Sequence, residues 1–260
     1  MKKLLLCASL ALMVAAGPAL AGRTCEDRPL DVSTVQMSMA LAERTAKRLD
    51  QTGAQVVVLA RSGQDLRHYG LRWSHLAFAY RETEGGPWRV VHKLNHCGTP
   101  VAAIYRQGLG EFFLDRMFRY ESAIVVLAPE VQAKLLWVLG DNQRVMQWHT
   151  EAYNMLAYPW STTYQQSNQW ALETLAGAMD ANATTRRQAQ AWLQLRDYQP
   201  TTLHLGPMTR LGARMTRANV AFDDHPNEKR FSDRIETVTV DSVLVWLRTS
   251  GLGTETIVVK

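Results

Sequence analysis

Two periods of apolar residues run along this chain and mark its elements. From Leu30 to Gln51, Val35, Met39, Ala42, Ala46 and Leu49 recur three or four residues apart, the spacing of one helix face, and Thr52-Gly53 closes the run. Gln55–Ala60 (QVVVLA) is continuously apolar and short, which predicts a buried strand. Trp73–Tyr80 and Trp88–His92 are rich in aromatic and β-branched residues and flank Gly85-Gly86-Pro87. That pattern predicts a hairpin. Pro100–Phe118 is mixed and broken by Gly108 and Gly110, and Ser122–Leu127 is a further strand. Pro129 opens a helix and Gly140 closes it, and Val145–Leu156 is read as helical too. A loop around Pro159 follows, then a helix from Ser167 carrying Trp170, Leu172, Leu175 and Ala178. Thr184–Arg196 is helical, Ile235–Val240 alternates as a strand, Asp241 caps a helix ended by Gly251, and Thr256–Val259 is a last edge strand. With no repeat and no Pro/Gly-rich linker, the expectation is one α+β domain, an antiparallel sheet packed against helices.

The hairpin carries the first candidate chemistry. Alternation puts His75 on the face of Ala77 and Ala79, and His92 on the face of Val90 and Trp88. Both histidines lie a similar distance from the turn, so the two rings are expected side by side. Buried imidazoles need hydrogen-bond partners, which makes such a pair unusual in a plain core.

Composition narrows the setting. The 260 residues carry a formal charge of +5, which falls to +3 without Lys2 and Lys3. No basic run is present, so nucleic acid is not an expected partner. Residues 1–21 have the form of a secretory signal peptide: Lys2-Lys3, an apolar stretch from Leu4 to Ala16, and Ala19-Leu20-Ala21 as the cleavage site. The apolar stretch is about 13 residues, short of the ~20 that span a bilayer. The expected mature chain, 22–260, is periplasmic or secreted and has no transmembrane segment. It keeps Cys25 and Cys97. In an oxidising compartment two cysteines are expected to pair; the alternative makes Cys97 a nucleophile beside His96.

Ser167 has two readings. Serine is among the best helix N-caps. The same place suits a nucleophile, because the first turn offers unpaired amides and the positive end of the helix dipole. His92, His96 and Cys97 do not have the spacing of a metal motif, and neither a metal nor another cofactor is expected. Phe222-Asp223-Asp224-His225-Pro226 reads as a turn, or as a loop placing Asp224 or His225 against substrate.

His75 on one strand and His92 on the next resemble the histidine half of NlpC-type papain-like peptidases. In the circularly permuted branch, which includes lecithin retinol acyltransferase-like proteins, this half precedes a nucleophile at a helix start. The matching segment is Gln165-Gln166-Ser167-Asn168-Gln169-Trp170, with Ser167 where the family has cysteine. The mature chain also resembles a family of uncharacterised secreted bacterial proteins, through Gly22-Arg23-Thr24-Cys25-Glu26, Ser167-Asn168-Gln169-Trp170 and Asp224-His225-Pro226. The first resemblance implies a permuted papain-like fold over 22–260. It also implies a hydrolase or acyltransferase acting on an amide or ester bond of cell-envelope peptide or lipid. Ser167 would be nucleophile, His75 base and His92 orienter, with Gln166, Asn168 and Gln169 contacting oxyanion or substrate. Serine cannot be pre-ionised as a thiol can and needs a base during attack. The alternative is a catalytically inactive binding or assembly protein using the same groove.

Overall fold

A computed structural model describes residues 29–216 and 218–260. The leader and Cys25 lie outside the described residues. The central sheet contains β1 (Val56–Ser62), β2 (His75–Tyr80), β3 (Arg89–Asn95), β4 (Ala102–Gly108), β5 (Arg119–Val126) and β8 (Ile257–Val259). Its order is β4-β3-β2-β1-β5-β8 and every pair is antiparallel.

Alternation along the strands feeds two cores. Leu76, Phe78, Tyr80 and Val91 face α3 (Pro129–Leu139), α4 (Ser167–Met179), α5 (Arg186–Leu195) and α8 (Val240–Thr249). Ala77, Ala79, Val90 and Trp88 face α1 (Val32–Asp50) and α2 (Leu109–Phe113). The small side chains of β2 on the second face leave room for Leu41, Leu49, Phe112 and Phe113. The expected architecture, helices against an antiparallel sheet, is therefore present. No described helix is long and apolar enough to cross a membrane.

Several elements differ from the pattern. The segment expected to be helical at 145–156 holds only a short 3-10 turn, Arg144–Met146, followed by turns and an isolated bridge between Ala152 and Val101. Its backbone pairs elsewhere: Tyr153 N–H donates to Pro100 O (2.7 Å) and Met155 N–H to Asn219 O (2.8 Å). Trp148 leaves the chain to pack on Gly177, its Nε1 donating to Ala183 O at 2.8 Å. The mixed stretch after Pro100 contains β4 and α2, and Gly108 sits at the N-terminus of α2. The strand read at 235–240 stops at Thr237; β7 (Arg234–Thr237) pairs with β6 (Thr201–His204) in a separate two-stranded sheet. α8 is capped by Thr239 in a capping box with Ser242, not by Asp241. Asp241 instead accepts from the backbone of Arg72 and Trp73, each at 3.2 Å. Helices α6 (Pro207–Thr216) and α7 (Asn227–Phe231) were not foreseen.

Candidate functional site

The hairpin register sets Phe78 opposite Val91, so His92 lies two residues nearer the turn than a partner of His75 would. The rings meet diagonally rather than directly across. His75 Nε2 and His92 Nδ1 are 2.8 Å apart, with ring centroids 5.1 Å apart at 65°. Phe112 of α2 covers both rings, at 6.0 and 5.3 Å.

The chain of hydrogen bonds continues past His92. His92 Nε2 lies 2.7 Å from Gln107 Oε1, and Gln107 Nε2 donates to Glu111 Oε1 at 3.0 Å. The carboxylate only accepts, so it turns the amide nitrogen of Gln107 to itself and the amide oxygen to His92. His92 then carries its proton on Nε2, and its Nδ1 accepts from His75 Nε2–H. That assigns Nδ1 as the acceptor nitrogen of His75. Burial is the largest cause lowering the His75 pKa well below its usual value, with His92 and Arg61 adding to it. Burial lowers His92 to about 4 against the opposing bond from Gln107. Both rings are neutral at pH 7.

A cavity of about 600 Å³ opens at the end of the sheet where β1 and β3 finish and β2 begins. Arg61, His75, Asn95, Tyr153 and Ser167 are among its lining residues. Leu76 faces α4, so His75 starts out on the opposite side of the sheet; because it is the first residue of its strand, it still opens onto the same cavity as the helix start. Asn168 ties the two elements together, its Oδ1 accepting from Leu76 N–H at 3.0 Å.

Ser167 is the first residue of α4 and does not cap it; Gln166 occupies the N-cap position without a side-chain capping bond. Ser167 shares the cavity lining with Tyr153, whose pKa is raised chiefly by burial, with the nearby serine hydroxyl opposing that shift. The rings of His75 and His92 pair with each other, and among the described residues no hydrogen bond joins either ring to Ser167.

The remaining expected residues separate by their bonds. Gln166 and Asn168 line the cavity. Gln166 Nε2 donates to Thr237 Oγ1 and Val238 O, both at 2.7 Å, so its amide braces the loop before α8. Gln169 Nε2 donates to Pro159 O and Glu173 Oε1 and belongs to a buried network behind the cavity. In that network Glu173 accepts from Gln165, Gln190 and Arg186, while Arg186 also donates to the carbonyls of Thr162 and Tyr164. Lys93 reaches the same network from β3, and burial lowers its pKa to about 7. Asp224 and His225 do not meet the cavity. The His225 ring is enclosed, 3.0 Å from Asp224 Oδ1 and 2.9 Å from Glu236 O, while Asp224 Oδ2 accepts from Tyr158 N–H. They pin the loop that carries Phe222 into the cavity wall.

Cys97 borders the cavity and is not an unpaired thiol; the bridge expected to Cys25 falls outside the described residues. Among the described residues no group of three or more His, Cys, Asp or Glu has the arrangement to hold a metal ion.

Gln107, Glu111 and Tyr153 were not picked out from the sequence. Gln107 shares the face of His92 because β4 pairs Tyr105 with His92 and Gln107 with Val90. Period-two spacing from His92 would have reached it had β4 been recognised.

No match was found among curated proteins, and none among solved structures. A family profile matches residues 48–247, which hold every side chain of the site. The chain belongs to the family described as "Uncharacterized protein conserved in bacteria (DUF2145)".

Proposed function

We propose that this protein is an exported hydrolase or acyltransferase acting at an amide or ester bond of cell-envelope peptide or lipid. Ser167 is its nucleophile, His75 its base and His92 the residue that orients the base. The observation that carries this reading is the cavity shared by Ser167 and by an imidazole whose tautomer is fixed from behind by His92, Gln107 and Glu111. A base held with a defined lone pair is what nucleophilic serine chemistry needs. The arrangement of base strand, orienting strand and nucleophile helix also suits a permuted papain-like fold of NlpC type.

In the proposed reaction Ser167 Oγ bonds to the carbonyl carbon while its proton passes to His75 Nδ1. The carbonyl π pair moves onto oxygen, where the first-turn amides of α4 and the Tyr153 hydroxyl are the available donors. Collapse of the tetrahedral intermediate breaks the ester or amide bond, and the leaving alcohol or amine takes the proton from His75. Water, or an acceptor hydroxyl or amine, then attacks the acyl-serine and gives its proton to His75. Ser167 recovers that proton as it leaves, and the acid or the transferred acyl product is released.

A second reading is favoured by one observation: the His75 ring is hydrogen-bonded to His92, and among the described residues no hydrogen bond joins it to Ser167. In that reading the groove binds an envelope component without cleaving it. A fluorophosphonate probe separates the two. Covalent labelling at Ser167 that disappears in His75→Ala supports the enzyme. A folded protein that stays unlabelled while binding envelope fragments supports the binder. Export and a Cys25–Cys97 bridge are part of the proposal, and a non-reducing peptide map of protein from the periplasm or medium tests both.

A further inference from the structure

The cavity beside Ser167 has two unlike ends. Its polar end is built from the groups already described. The other end is walled by Leu203, Leu205, Val220 and Phe222, which form an apolar cluster with Ile235, and by Met155 and Leu156 packed against it. The polar side chains among these walls, Thr209 and Asn219, are isolated points rather than a ladder of partners, although Asn219 Oδ1 is buried without one of its own. A peptide lying there would leave backbone N–H and C=O groups unpaired at a cost per residue. An aliphatic chain has no such groups.

Helix α6 supplies the second observation. Thr209 and Ala213, four residues apart and so on one helix face, line the cavity. On the same helix Met208 is 79% and Leu211 53% exposed to solvent. Arg210 donates to the carbonyl of Arg230, which brings in α7, whose last residue, Phe231, is 72% exposed. Arg214 is exposed on α6, and the Arg230 guanidinium lies over the Phe231 ring at 4.8 Å. Arg210 is paired with Asp233 and α7 also carries Glu228, but Arg214, Lys229 and Arg230 keep the edge net basic. Apolar side chains standing in water in such a setting have the composition of a surface that settles into an anionic lipid interface.

We propose that the cavity takes a long acyl chain, delivered from an anionic membrane surface on which the α6–α7 edge rests. The ester or amide carbonyl of that chain is what reaches Ser167; this last clause alone rests on the hydrolase reading.

Saturated fatty acids of eight to eighteen carbons, competing with cis-parinaric acid on the unaltered mature protein, test the cavity. Each added CH₂ is expected to tighten binding roughly fourfold until the chain outgrows the site. Ala213→Trp, placed at the wall, should weaken the probe at least tenfold with the melting temperature retained. Met208→Asp with Leu211→Asp should reduce cosedimentation with phosphatidylglycerol vesicles at least fivefold and leave fatty-acid binding in solution intact. Absence of saturable probe binding, or affinity indifferent to chain length, overturns the acyl site without reference to any variant. Vesicle binding unchanged by the double substitution overturns the membrane surface. Acyl binding without serine labelling sinks the hydrolase reading and leaves this site standing; labelling without acyl binding does the reverse.

Discussion

His75 Nε2 and His92 Nδ1 sit 2.8 Å apart, and the direction of the proton between them is set two residues away, by Glu111 acting through Gln107. Without that relay the two neutral rings have no reason to favour one tautomer pair over the other. The relay therefore gives a direct prediction. Gln107→Leu removes the acceptor for His92 and should slow fluorophosphonate labelling of Ser167 about 10²-fold, the lower range for loss of a general base. Gln107→Glu keeps an acceptor and should retain most of the labelling. Nitrogen-15 spectra of the imidazoles give a readout independent of turnover: His75 should report protonated Nε2 in the parent and a tautomer mixture in Gln107→Leu. Equal spectra in both proteins would remove the relay.

The same burial makes stability depend on pH. Both histidines have folded pKa values below the usual 6.5, His92 near 4. Between those values the unfolded chain binds more protons than the folded one, so stability rises with pH across that window. It is fully present above about pH 6.5 and is lost as pH falls toward 4. The shift at His92 corresponds to on the order of 3 kcal/mol. Thermal melts at pH 7 and 4.5 should show this loss, and His92→Gln should show less of it. Identical pH profiles for the two proteins would contradict the assignment.

Glu173 and Arg186 are 1% and 7% exposed at their side chains and 2.7 Å apart. Removing one partner strands the other charge inside the protein. Glu173→Ala is expected to cost about 3–5 kcal/mol by urea unfolding. The loss should include the loop at 161–164, whose carbonyls Arg186 holds. Amide exchange there should rise ahead of the central strands. A cost under about 1 kcal/mol would show that the network is not stabilising.

Gly177 faces Trp148 so closely that a Cβ built on it would lie 2.1 Å from Cε2 and Cζ2 of the indole. Gly177→Ala should therefore destabilise by about 1–3 kcal/mol despite alanine's higher helix propensity. Trp148→Leu in the same chain should recover part of that cost, because the two positions share one volume. Purely additive effects in the double variant would be inconsistent with the packing.

Local pattern carried a large share of the fold. The helix at 32–50, the buried strand QVVVLA, the hairpin, the Pro129–Gly140 helix and the final edge strand are all encoded by neighbours in sequence. Misreadings fell where long-range pairing overrides local preference. Residues 145–156 have helical periodicity, but their amides are claimed by Pro100 and Asn219. Asp224 and His225 look like a polar surface turn, yet Tyr158 and Glu236 draw them inside.

The sequence by itself determined which neighbours each histidine shares a face with, His75 with Ala77 and His92 with Val90, since side-chain alternation is a property of each strand alone; the register between the strands, which brings both histidines to one face, came from the tertiary pairing. The sequence also determined that a helix would begin at Ser167. Tertiary structure decided what those residues touch. The proton order of the histidine pair depends on Gln107 and Glu111, contributed by a strand and helix that the glycines at 108 and 110 obscure in the sequence. That Tyr153 lines the cavity beside Ser167 depends on a segment of turns that was expected to be helical. Contacts of that kind come from chain segments that meet only when the sheet closes, and no spacing along the chain records them.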